Sequence, residues 1–200
     1  MEHKLLSEIL RDLAPRALIE AFGAYDLRLK EQPSSGSNAS FMSKVKPSES
    51  VVAGVVGFTG AAFRGTVLVA STFELITLAR PGRVRAQPLS KNSSSDWIMV
   101  RDWAGELANQ VLGRIKNRLA AHGVVFDVSP PAALSGTALM FAQPKSPTPR
   151  QHTFVPVQGG LPDEARVWFC LDALFDSSQE VGPASPTADE PSEGTVIEFD

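Results

Sequence analysis

Apolar side chains recur along this chain with two different periods, and each switch between them marks a new element. Leu5, Leu6, Ile9, Leu10 and Leu13 follow the helical repeat, and Leu18, Ile19 and Phe22 continue it, so residues 2–22 predict a helix. Pro15 is expected to break or kink it, because proline lacks the N–H and crowds the preceding turn. Tyr25, Leu27 and Leu29 then alternate with Asp26, Arg28 and Lys30, the pattern of a half-buried strand. Residues 51–59 and 66–70 are β-branched apolar runs separated by Gly60, Ala61 and Ala62, which predicts an antiparallel hairpin. Ser71 and Glu74 have capping-box spacing, so a short helix is expected as far as Arg80, stopped by Pro81-Gly82. The stretch 32–50 is rich in Ser, Pro and Gly and reads as a mobile loop, and 83–94 as a connection. Four strand candidates follow Gly123, at 124–129, 138–143, 153–157 and 166–171.

Between these strands and the hairpin runs the longest periodic segment, a helix expected over 95–122. Val100, Ala104, Leu107, Val111, Ile115 and Leu119 form its apolar stripe, and Gly123 is a natural stop. On the opposite face Asp102, Glu106, Asn109, Gly113 and Lys116 recur at spacings of four, three, four and three, so they share one side. Gly105 and Gly113 each cost about 1 kcal/mol in a helix interior, and glycine there lets another backbone come close. Asn109 is a middling helix former where Lys or Glu would serve better. Taken alone, this face fits either a solvated or packing surface or a functional site.

Composition narrows the classes. Of 200 residues, 43% are hydrophobic and 20% charged, which suits one globular domain. No apolar run reaches the roughly 18 residues of a membrane span, and the N-terminus lacks a signal-peptide pattern, so a soluble cytoplasmic protein is expected. A single cysteine, Cys170, lies in an apolar run and reads as a buried, inert thiol. From residue 177 onward there are six acids and no Lys or Arg, so 177–200 reads as a disordered acidic tail. The domain is then 1–176, and removal of 177–194 is expected to cost no stability. Within the tail, Val196, Ile197 and Phe199 could add as a strand to a sheet edge. Scattered Lys and Arg give no nucleic-acid stripe. His3, His122 and His152 have no metal-ligand spacing, and no phosphate loop or nucleophile elbow is present. Trp97 and Trp103 read as packing anchors, and Trp168 as part of a strand.

The run Asp102-Trp103-Ala104-Gly105-Glu106-Leu107-Ala108-Asn109-Gln110-Val111-Leu112-Gly113 resembles the signature of the CheC/CheX/FliY chemotaxis phosphatases. That signature is Asp or Ser, three residues, Glu, two residues, Asn, then a proline some twenty-two residues later. Here Asp102, Glu106 and Asn109 match, Gly113 agrees with a common family choice, and Pro131 follows Asn109 after 21 intervening residues, with Pro130 beside it. The hairpin from Gly54 to Val69 and the order of elements also resemble the family, whereas the acidic tail has no counterpart. One signature copy is present, since the helix after the hairpin reads Glu74-Leu75-Ile76-Thr77 without the asparagine, so the likeness is to the CheX type.

What the resemblance implies is an α/β (α+β type) fold, a mostly antiparallel sheet of about six strands packed with long helices. The implied activity is dephosphorylation of the aspartyl phosphate on a CheY-like receiver domain. Asn109 would orient the attacking water, Glu106 would pair with the receiver's active-site lysine, and Asp102, Gly105, Gly113 and Lys116 would line the docking surface. Mg²⁺ would belong to the receiver, with no cofactor of the chain's own; a homodimer is compatible with the resemblance. The runner-up reading on sequence alone is a binding module of the same fold that docks without turnover; a flagellar-switch or scaffold component is a third, which the lack of recognisable additional domains in this sequence disfavours.

Overall fold

Two residues, Ala61 and Ala62, turn the chain back on itself between its two longest strands, and the rest of the sheet grows outward from that hairpin. The computed structural model describes residues 4–33, 51–81, 89–141, 144–146, 149–158, 160–175 and 180–183. In chain order the elements are β1 (Lys4–Leu5), α1 (Leu6–Gly23), β2 (Leu29–Glu31), β3 (Val51–Gly60), β4 (Phe63–Thr72) and α2 (Phe73–Leu78). Then come α3 (Ser94–Ala120), β5 (Phe126–Val128), β6 (Ala132–Ser135), a 3₁₀ helix (Gly136–Phe141), β7 (Arg150–Pro156), β8 (Val167–Phe175) and β9 (Glu180–Val181).

The main sheet has seven strands in the order β2-β7-β8-β4-β3, with β5 and β6 sharing the far edge of β3. Every pairing is antiparallel. β3 and β4 run in register from Val51↔Thr72 to Thr59↔Arg64. Alternation of side chains then sorts the strands into two faces. Val52, Val56, Val67, Val69, Phe169 and Leu171 pack with the buried stripes of α1 and α3 in the main core. Val51, Ala53, Leu68, Ala70 and Cys170 form a smaller cluster on the other face with Leu139 of the 3₁₀ helix. Central strands are thus covered on both sides, which is why β3 reads as a nearly unbroken apolar run.

Several expectations are corrected. The N-terminal helix begins at Leu6, because Lys4–Leu5 pairs with Glu180–Val181. Those partners fall inside the stretch expected to be an unstructured tail. Val181 is 4% exposed and the Gly182 carbonyl lies 3.0 Å from His122 Nδ1, so two backbone pairings and a buried side chain hold them. α1 runs through Pro15 without interruption, as burial of Ala14, Ala17 and Leu18 on either side offsets the lost hydrogen bond. The expected strand at 25–30 shrinks to β2, since a turn at 24–26 carries Asp26 at φ +60°. No capping box forms: Ser71 is fully buried in β4 and donates its hydroxyl to Arg166 O at 2.7 Å, and α2 ends at Leu78. Glu74 instead pairs with Lys91. The apolar run near 138–143 is the 3₁₀ helix rather than a strand, because Gly136 at φ +57° redirects the chain after the unforeseen strand β6. The loop expected over 32–50 is described only at Gln32 and Pro33, and the 195–200 segment lies outside the described residues.

Candidate active site on the long helix

α3 is fixed at both ends and along its inner side. Ser93 Oγ accepts the Asp96 N–H at 3.3 Å, and Trp97 packs on Phe73 with ring centroids 4.8 Å apart. At the other end the Val124 N–H donates to Leu119 O and the Gly123 N–H to Ala120 O, with Gly123 at φ +72°, the Schellman pattern that only glycine adopts without strain. All six residues of the expected stripe, from Val100 to Leu119, are buried. Beneath them Gly54 of β3 allows a close crossing: a Cβ there would overlap the Ala104 carbonyl oxygen and lie 2.9 Å from the Ala108 Cβ. Ala104 and Ala108 flank Glu106, so this contact sets the height of that face above the sheet. Trp103 donates its indole N–H to Ala79 O at 2.7 Å and meets Tyr25 edge-on at 5.3 Å. Both tryptophans are the anchors that the sequence suggested.

On the outer side Asp102 is exposed and Glu106, Asn109, Gly113 and Lys116 are half-buried, so these five share the outward face. Gly105 does not join them. It is buried, and a Cβ on it would meet Pro131 at 3.5 Å, an ordinary contact. The signature proline therefore lies against the helix between Asp102 and Glu106. Among the described residues Gly113 serves no internal crossing either, since a Cβ there would meet none of them within 4 Å. Lys116 places its Nζ 5.8 Å from the centre of the Phe126 ring, a cation–π contact with β5 that ties it to its own domain.

Glu106 and Asn109 differ in their surroundings. Gln110 Nε2 donates to Glu106 Oε1 at 3.3 Å and also lies 3.0 Å from the Tyr25 hydroxyl. The side chain of Asn109 makes no recorded hydrogen bond among the described residues, which leaves its carbonyl and NH₂ free to engage a ligand. Sequence reasoning missed Gln110 and Tyr25. The i, i+4 spacing from Glu106 to Gln110 was a usable signal, whereas nothing in the sequence brings residue 25 to residue 110.

Elsewhere the chemistry is sparse. Cys170 is buried and its thiol is pushed up to about 12, by burial first and by the Asp172 carboxylate second. Asp172 itself accepts the Lys145 and Ser146 N–H groups at 2.6 and 2.8 Å. Beside them an open groove of about 570 Å³ runs over the sheet face away from α3, with Arg64 and Asp127 in its walls. Among the described residues no group of three His, Cys, Asp or Glu side chains could hold a metal ion. His122 contacts Gly182, and His152 pairs with Glu31 at 2.6 Å. No described helix is long and apolar enough to cross a membrane.

Residues 52–154 match the family model described as chemotaxis phosphatase CheX, a span that includes Glu106, Asn109 and Pro131. The chain belongs to the CheX family. The chemotaxis protein CheX from Vibrio vulnificus is similar in fold, with 20% identity and a TM-score of 0.63 over 84% of this chain and 99% of that one. A CheC-like superfamily protein from Shewanella sp. PV-4 gives 18% identity and a TM-score of 0.58, over 83% and 97%. CheX in the CheX–CheY–BeF₃–Mg²⁺ complex from Borrelia burgdorferi gives 18% and 0.54, over 83% and 96%. At these identities the likeness is one of fold. No curated protein matches the sequence. The antiparallel seven-stranded sheet with its long helices agrees with the mostly antiparallel CheX-type fold that the signature implied.

Proposed function

We propose that this CheX-family chain is a phosphatase that hydrolyses the aspartyl phosphate of a CheY-type receiver domain, in the cytoplasm where such receivers act. The observation that carries this reading is the pair Glu106 and Asn109, one turn apart on the outward face of a helix whose ends and inner side are fixed. An acyl phosphate is already activated, so the chain need supply neither a covalent nucleophile nor a strong base. Placing one water in line with the phosphorus accounts for much of the barrier reduction available. The Asn109 carbonyl accepts a hydrogen bond from that water while its NH₂ donates to a phosphoryl oxygen. Glu106 pairs with the receiver's lysine and fixes the register of docking. The divalent cation is the receiver's own; the Borrelia burgdorferi complex holds CheX together with CheY, BeF₃ and Mg²⁺, which supports this assignment. Asp102 and Gly113, one on each side of the pair, complete the docking face.

The test is phosphate release from a panel of receiver domains phosphorylated by a small-molecule donor. Asn109→Ala should lower turnover on the order of 10²–10³-fold, the usual loss for one positioned polar group. Its melting temperature should stay at the parental value, because the side chain is half-exposed and makes no recorded internal bond. Glu106→Ala should raise KM, and the parental KM should rise with salt as an accessible ion pair is screened. Equal turnover by Asn109→Ala and the parent would sink the mechanism. Tight binding of a receiver without any turnover by the parent would favour a docking module instead.

A further inference from the structure

A carboxylate on a half-exposed helix face loses rotamer freedom when a partner docks on it, and that loss opposes binding. In this chain Glu106 already has an internal hydrogen-bond partner. Gln110 brings its Nε2 to 3.3 Å from Glu106 Oε1, and the same nitrogen lies 3.0 Å from the Tyr25 hydroxyl. A carboxylate only accepts hydrogen bonds, so the amide must turn its NH₂ toward Glu106, and its two N–H groups then have two acceptors, the carboxylate and the phenol oxygen. Tyr25 is itself held. Its backbone N–H donates to Phe22 O at 3.0 Å, and its ring meets the edge of Trp103 at 5.3 Å with the planes 87° apart. The chain of contacts starts on the hydrogen-bonded turn after α1 and ends on the carboxylate.

We infer that Gln110 and Tyr25 are positioning residues that hold Glu106 in a single rotamer for the docking receiver. The inference rests on the reading of Glu106 as the docking contact.

The experiment uses the full chain and a CheY-type receiver domain from the same genome. Kd is measured for the receiver loaded with beryllofluoride and Mg²⁺, and KM and kcat for the phosphorylated form. Gln110→Ala should raise Kd and KM together by roughly two- to twelve-fold, the effect of ordering one flexible side chain. kcat at saturation should stay within about two-fold, since Asn109 is untouched. Tyr25→Phe, which keeps the ring against Trp103, should give a smaller rise of the same kind. The double variant should be no worse than Gln110→Ala, because both act through one carboxylate. A merely structural role would lower the melting temperature without this split between KM and kcat. Parental Kd in Gln110→Ala, alongside weakened binding in Glu106→Ala, overturns the positioning role alone. Parental Kd in Glu106→Ala overturns the docking contact and this inference with it.

Discussion

Replacing Gly54 by alanine tests whether the sheet beneath the long helix sets the geometry of the site. The added methyl would overlap the Ala104 carbonyl oxygen and sit 2.9 Å from the Ala108 Cβ. Neither neighbour is the far end of a flexible side chain, so relief requires α3 to move off β3, on the order of 1 Å, or the strand to buckle. Overpacking of this kind costs about 1–3 kcal/mol, and a clash with backbone in the centre of the sheet belongs at the upper end. At about 2–4 °C per kcal/mol for a chain of this size, the melting temperature should fall by roughly 6–12 °C. Ala104 and Ala108 bracket Glu106 on the same helix, so the displacement carries the outward face with it. A misplacement of about 1 Å can cost on the order of 10²-fold in rate. Circular-dichroism melting and receiver dephosphorylation at a temperature where the variant is fully folded would measure the two effects separately. Gly57→Ala is the internal comparison: its Cβ would come 3.0 Å from Ser129 Oγ, a side chain that can rotate away at the cost of only the hydrogen bond it accepts from the Gly57 N–H. A Gly54→Ala protein that melts within about 2 °C of the parent and turns over at the parental rate would refute the reasoning.

Gly113→Ala should stabilise the fold by up to about 1 kcal/mol, since the new methyl meets none of the described residues within 4 Å, yet weaken receiver docking at that open surface; unfolding curves and Kd report the two signs. Cys170 should resist thiol reagents in the native protein at pH 8 and react fully in denaturant, because the folded state holds its thiol protonated up to about 12. The same shift means that the unfolded chain releases this proton first, from its ordinary value of 9.0, so the thiol's contribution to stability falls as pH rises from there toward about 12; a flat alkaline limb in pH-dependent unfolding would contradict it. Truncation after Phe175 should destabilise the protein by about 1.5–3 kcal/mol, the worth of a buried valine, because Val181 is 4% exposed and pairs with β1; an unfolding midpoint equal to that of the full chain would contradict it.

The long helix was legible because its two faces obey different rules. The inner face follows burial alone, so a 3.6-residue period from Val100 to Leu119 located it to within a residue or two at each end. The outer face was legible through residue types that burial and propensity disfavour, Asn109 and Gly113 among them, in an order with a known signature. Local signals failed wherever a long-range partner decided the outcome. Ser71 had the right spacing to cap a helix, yet a carbonyl 95 positions away claims its hydroxyl. Lys4–Leu5 continued a helical pattern, yet became a strand because Glu180–Val181 pairs with it. The apolar run after Gly136 was too short for periodicity to separate strand from helix, and the positive φ at that glycine settled it.

The same distinction explains what was visible of the site. Glu106, Asn109 and the spacing to Pro131 lie within one local stretch, so the sequence carries them. What holds Glu106 still comes from Tyr25, 85 residues from Gln110, and what sets the height of the helix is a glycine on a neighbouring strand. Neither leaves a mark at the signature itself. Two chains could therefore share the Glu and Asn of this helix and differ in affinity for a receiver, one with Glu106 held in place and the other paying its ordering entropy on docking. In the CheX family the Glu and Asn of the signature would then mark the chemistry, while other residues, Gln110 beside them and Tyr25 far from them in this chain, would set how firmly the receiver is held.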